Sequence, residues 1–154
     1  MIIPRLQGGL GNQMFQYAAG LALAERLSAT LFLDMSWFEE MKHLDSTTTR
    51  EYELAGFGIT PHEINWLHQV ILKIRRPYLF KERSFSYNSE FENLSGNIIL
   101  DGYWQSYKYF DKYRDIVLDA YQFPASISKK NEKTLGEIEN ELSVSVHVRR
   151  GDYA

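Results

Sequence analysis

The sequence predicts an α/β fold built on a parallel sheet with flanking helices, and three observations carry that expectation. Residues 1–6 place Ile2, Ile3 and Leu6 in a short buried strand, followed at once by the glycine turn Gln7-Gly8-Gly9-Leu10-Gly11. From Asn12 onward Met14, Tyr17, Leu21, Ala24 and Leu27 recur at three- and four-residue steps, which sets them on one face of a helix. Residues 29–34, Ala-Thr-Leu-Phe-Leu-Asp, form an apolar run closing on a carboxylate and supply a second strand. Joining two strands through a helix makes them parallel. It also puts the glycine turn at the carboxyl end of the first strand, the side on which open α/β sheets bind ligands.

The remaining elements are read in the same way. Thr60, Pro61 and Glu63 have the spacing of a helix start, and Trp66, Leu67, Val70, Ile71 and Ile74 give a buried stripe, so a helix is expected over residues 61–75. Residues 43–59 and 76–96 lack clear periodicity and are assigned to loops with short helical or extended pieces. Residues 97–101 read as a strand. Helices follow over 110–120 and 126–141, separated by Pro124. In residues 142–148, Leu142, Val144, Val146 and Val148 alternate with Ser143, Ser145 and His147, the pattern of a closing strand.

Composition narrows the function. The 154 residues are 44% hydrophobic and contain no cysteine, which removes disulfides, thiolate nucleophiles and Cys-based zinc sites. The 17 Lys and Arg against 20 Asp and Glu leave a net charge of −3, the wrong sign for a nucleic-acid binder. No run reaches the ~18 apolar residues of a spanning helix. Asn12, Gln13 and Gln16 also interrupt any signal-peptide core. The expectation is therefore a cytoplasmic protein acting on small molecules, with peripheral attachment to a membrane left open.

A glycine turn between strand and helix lets backbone amides approach a phosphate or a sugar. Gly9 and Gly11, with Asp34 further on, suggest a dinucleotide site, but Met14 stands where that fingerprint has its third glycine. The block Gly8-Gly9-Leu10-Gly11-Asn12-Gln13, continued by Met14-Phe15-Gln16-Tyr17-Ala18, closely resembles the N-terminal signature of the α-1,2-fucosyltransferases of glycosyltransferase family 11. Its shorter Gly-x-x-Gly-Asn-Gln form also resembles the opening motif of protein O-fucosyltransferases. The resemblance implies that Gly9, Gly11, Asn12 and Gln13 line a cleft, with Gly11 and Asn12 near the donor. Asn12 has a second reading as the cap of the helix.

His147-Val148-Arg149-Arg150-Gly151-Asp152 ends the last expected strand. Two adjacent guanidiniums repel unless an anion answers them, and a diphosphate suits the planar, permanently charged arginine fork. Asp152 has the chemistry to hold that fork in position. The motif looks like the donor-binding sequence shared by α-1,2- and α-1,6-fucosyltransferases. The resemblance implies that Arg150 contacts the diphosphate of GDP-fucose, with Arg149 and Asp152 in support and His147 shaping the nucleotide pocket. Gly102-Tyr103-Trp104-Gln105-Ser106 and Lys108-Tyr109-Phe110 resemble a block between these two motifs. For Tyr103 and Trp104, packing under the cleft is the expected role and sugar stacking the alternative.

Taken as a whole, the resemblance implies the first half of a GT-B architecture, two facing Rossmann-like domains. Residues 1–141 would form an acceptor-side domain, and residues 142–154 would start a donor-binding region whose remainder lies beyond a truncated chain. It further implies inverting transfer of L-fucose from GDP-fucose to the 2-hydroxyl of a galactose-containing glycan, with no metal and no cofactor besides the donor. Arg150 and Asp152 are the candidate catalytic residues. Inversion needs a general base, for which Asp34 and Asp152 qualify by chemistry alone. A dinucleotide-binding oxidoreductase domain and a noncatalytic glycan-binding module remain as alternatives.

Overall fold

The computed structural model describes residues 1–42, 50–61, 76–146 and 148. Residues 1–122 form one compact unit and residues 123–154 a second. In the first unit the element order is β1 (Ile2–Pro4), α1 (Leu10–Arg26), α2 (Ser36–Lys42), β2 (Tyr78–Lys81), β3 (Ile98–Asp101) and α3 (Arg114–Ala120), with 3-10 turns over Leu54–Phe57, Ser89–Asn93, Tyr107–Tyr109 and Asp111–Tyr113. The second unit contains α4 (Ala125–Asn140).

The three strands form a parallel sheet in the order β1-β3-β2, with Ile2 opposite Ile98 and Tyr78 opposite Ile98 on its other side. Residues 31–34 extend it beyond β1 through parallel bridges at Ile2–Leu31 and Arg5–Asp34. The expected strand, turn, helix and parallel strand are therefore present, the last as bridges rather than a full ladder. β2 lies where only loop was expected. Its backbone is fixed by β3 and only Phe80 is buried, so no alternation marks it in the sequence.

Helix α1 packs closely on the sheet because its inner face is Ala18, Ala19, Ala22 and Ala24 with Gly20. A Cβ on Gly20 would stand 2.6 Å from the Pro4 ring and 3.2 Å from Leu31, so glycine sets the helix-to-sheet distance. Arg26, at the carboxyl end of α1 where a cation suits the helix dipole, donates to the carbonyls of Phe91 (2.9 Å), Leu94 (3.1 Å) and Glu92. This ties the 3-10 turn at Ser89–Asn93 to the helix. The main core joins Ile2, Leu23, Phe80, Phe91, Ile98, Leu100 and Trp104, and a second one gathers Leu6, Leu33, Phe38 and Leu54.

Three expectations change. Helix α1 begins at Leu10, with Gly9 rather than Asn12 at its N-cap, because the extended Gly9 backbone already opens the first turn. The helix expected over 110–120 starts with a 3-10 turn over Asp111–Tyr113 and becomes α-helical only at Arg114. Residues 142–146 and Val148 form no strand, and Leu142, Val144, Val146 and Val148 are exposed. Alternation assigns faces, but a strand exists only when its N–H and C=O groups meet a neighbour, and among the described residues none does. Apart from Pro61, the helix expected over 61–75 has its buried stripe outside the described residues. No described helix is long and apolar enough to cross a membrane.

Tyr17, Tyr52 and Tyr121 gather beside the second core. Tyr121 donates to the Met14 carbonyl at 2.5 Å and Tyr52 to the Ile59 carbonyl at 2.7 Å. Burial disfavours their ionised forms, and Tyr52, with Tyr17 adding to the effect, is pushed up to about 12. A pKa raised in the folded state gives stability that is complete below the unfolded value of 10.0 and is lost as pH climbs towards about 12. Alkaline titration is thus expected to show tyrosinate absorbance rising together with loss of structure in that window. Titration of all tyrosines near the ordinary value with the fold intact would contradict this.

Candidate functional site

The carboxyl ends of β1 and β3 lie side by side, and the chain leaves them in two loops. The first is the glycine turn. Gly8 has φ +76°, a conformation that favours glycine, and a Cβ there would come within 2.4 Å of Asn12 Nδ2. Gly9 is extended and gives α1 no side-chain cap, so the N–H groups of Leu10, Gly11 and Asn12 have no partner within the helix. Gly11 is exposed, with open space where a Cβ would stand. A Cβ on Gly9 would approach Arg50 Nη1 at 3.2 Å, so a guanidinium stands over the turn. No sequence signal marked Arg50, an isolated loop arginine brought there by chain folding.

Gln13, expected to line the cleft, is instead wholly buried. Its amide donates to the carbonyls of Gly8 (3.0 Å) and Glu51 (2.8 Å) and accepts from the Glu53 amide (2.9 Å). It therefore bolts the glycine turn to residues 51–53. Gln16, equally buried, accepts from the Gln7 amide at 2.9 Å. Both glutamines shape the turn from beneath.

The second loop follows β3. Glu82 accepts from the amides of Tyr103 (2.7 Å) and Trp104 (3.1 Å), while Gly102 leaves room for it, since a Cβ there would meet Glu82 Cβ at 2.3 Å. This anchor holds Trp104 in the left-handed region at φ +55°. Trp104 is completely buried against Phe80, so its role is packing, as expected. Tyr103 is only half-buried and stacks on the exposed Phe85. Gln105 Nε2 donates to Asn12 Oδ1 at 2.7 Å across 93 positions, joining the two loops at the mouth of the sheet.

A cavity of about 430 Å³ opens between the strand ends, lined by Arg5, Gln7, Lys81, Arg83, Asp101 and Tyr103 among others. Arg5 is held by both oxygens of Glu40, at 2.9 and 2.7 Å. A larger cavity of about 610 Å³, lined by Leu33, Met35, Phe38 and Tyr52, reaches Lys42, Arg50 and Pro61, which flank stretches outside the described residues. Asp34 accepts from the Ser36 amide at 2.9 Å and so starts α2. His147, Arg149, Arg150 and Asp152 lie outside the described residues. Among the described residues no three His, Asp or Glu side chains converge as a metal-binding group.

The described residues define an α/β domain with a glycine turn at the carboxyl end of a parallel strand. The chain belongs to glycosyl transferase family 11, whose model matches residues 3–154. It is 29% identical to the alpha-1,2-colitosyltransferase of Escherichia coli, over 99% of this chain and 55% of that protein. It is 28% identical to the O-antigen biosynthesis glycosyltransferase WbnK of Escherichia coli, over 96% of this chain and 58% of that protein. The chain thus spans little more than half the length of these relatives. No solved structure matches significantly.

Proposed function

We propose that this chain forms the acceptor-side part of a GT-B fucosyltransferase, one that transfers L-fucose from GDP-fucose to the 2-hydroxyl of a galactoside with inversion and without a metal. The observation that carries the reading is the Asn12–Gln105 hydrogen bond. It brings the Gly8-to-Gln13 block and the Gly102-to-Ser106 block, the two family-like motifs within the described residues, to one edge of a parallel sheet. The name of the first relative, an alpha-1,2 transferase, supports the 2-hydroxyl linkage.

In this reading the galactose 2-hydroxyl oxygen bonds to the anomeric carbon and gives its proton to a carboxylate base, while the bond from that carbon to the diphosphate breaks and the ring passes through an oxocarbenium-like state. Arg150 and Arg149 stabilise the departing diphosphate with fixed charge, Asp152 orients them and His147 borders the nucleotide. The unpartnered N–H groups of Gly11 and Asn12 at the start of α1 face the same anionic group. A second donor stays in view because of that relative's name: colitose is L-fucose without its 3-hydroxyl, so one pocket has the shape for either sugar. Calorimetry on the active enzyme separates the nucleotide reading from the oxidoreductase one. GDP and GDP-fucose are expected to bind saturably and NAD not at all, and heat from NAD alone would contradict the proposal.

A further inference from the structure

Phe85 is 70% exposed, whereas the nearby Phe80, Phe91, Trp104 and Tyr109 are buried in the core. Its ring stacks on that of Tyr103, with centroids 6.2 Å apart and 29° between the planes, so the two form one aromatic pair beside the strand ends. Both residues line the cavity at the strand ends. The pair is held firmly, because the Tyr103 amide is bonded to Glu82 Oε2 at 2.7 Å and Phe85 follows β2 by only four residues. Polar groups ring it: Arg5, Gln7, Ser84, Arg83, and Asp101 with Lys81 at 3.7 Å.

We infer that the Phe85–Tyr103 pair is the platform on which the acceptor sugar sits, with Asp101 and Arg83 taking its hydroxyls. A pyranose presents one face of C–H bonds, slightly positive, that settles on the negative face of an aromatic ring, while its hydroxyls demand donors and acceptors at the rim. The cavity supplies both at a volume typical of small-molecule sites. A phosphate-only site would not need the rings, and a packing role would not leave Phe85 exposed. Gln7 runs from this cavity straight into the glycine turn, so a sugar seated here lies beside the face proposed for the donor. The inference rests on the glycosyltransferase reading and not on the identity of the transferred sugar.

The test is steady-state kinetics of the active enzyme with Phe85→Ala, Tyr103→Ala, and the ring-keeping changes Phe85→Tyr and Tyr103→Phe. Each alanine change is expected to raise the acceptor KM about tenfold with the donor KM unmoved, whereas the ring-keeping changes stay near wild type. Thermal melting of each variant checks the fold, which truncation at these surface positions is expected to spare. Unchanged acceptor KM in both alanine variants, or a rise in donor KM instead, would overturn the assignment. If another sugar nucleotide proves to be the donor, the same acceptor measurement is made with it, so failure of the fucosyl reading is told apart from failure of the platform.

Discussion

Trp104→Ala is expected to lower the unfolding free energy by about 3–5 kcal/mol, the range for emptying a large aromatic site in a core. Trp104 is completely buried and stacks on Phe80 with centroids 5.6 Å apart, while Phe91 and Tyr109 close around it at 5.9 and 5.3 Å. Few atoms can collapse into such a void, since its walls belong to β2, the Ser89–Asn93 turn and the loop after β3. Against a total of about 5–15 kcal/mol for a domain, the loss leaves little margin. Trp104→Phe separates packing from polarity. The indole N–H finds no acceptor among the described residues, so phenylalanine removes a buried orphan donor along with some area and is expected to cost far less than alanine. Urea titration reads both changes through the midpoint at constant slope. An alanine variant within about 1 kcal/mol of wild type would refute the keystone role.

Arg150→Ala in the active enzyme is expected to reduce kcat about 100- to 1,000-fold, the scale for removing one fixed group that stabilises developing negative charge. Arg150→Lys keeps the charge and loses the planar fork, so it is expected to recover only part of the rate. On the proposed role of Arg149 and Arg150, donor binding is expected to weaken in both, since the diphosphate would lose bidentate contacts. Activity near wild type in Arg150→Ala would remove Arg150 from the mechanism.

Much of the fold was legible where the determining contacts are local. β1, α1 and residues 31–34 followed from one strand-length apolar run, a glycine turn and a helical period, and Pro124 does precede a helix. β3 (Ile98–Asp101) was legible from the sequence as a strand over residues 97–101, carried by the apolar Ile98, Ile99 and Leu100. β2 was not, because its identity comes from pairing with β3 across about 20 positions, and with Tyr78 and Leu79 exposed and only Phe80 buried its four residues show no alternation. α2 escaped as well: its seven residues show no full period, and it is started by the Asp34 carboxylate that the sequence offered as a ribose or base group.

The site divides in the same manner. The glycine turn was legible as chemistry, but Gln13 was assigned by its place in a motif, and only the folded chain reveals that its amide faces residues 51–53. Tyr103 and Trp104 are adjacent in sequence and opposite in role, one on the surface and one in the core, a difference set by the left-handed turn that Glu82 stabilises from β2's far end. Arg50 and Phe85 reach the strand ends through loops, where no period announces them.

The proposed transfer is tested most directly by its product. The active enzyme, given GDP-fucose and a β-galactoside, is expected to yield a disaccharide heavier by one deoxyhexose, with proton NMR placing an α-linked fucose on the galactose 2-hydroxyl. No transfer from GDP-fucose alongside turnover of the corresponding colitose nucleotide, or a linkage to any other hydroxyl, would contradict it.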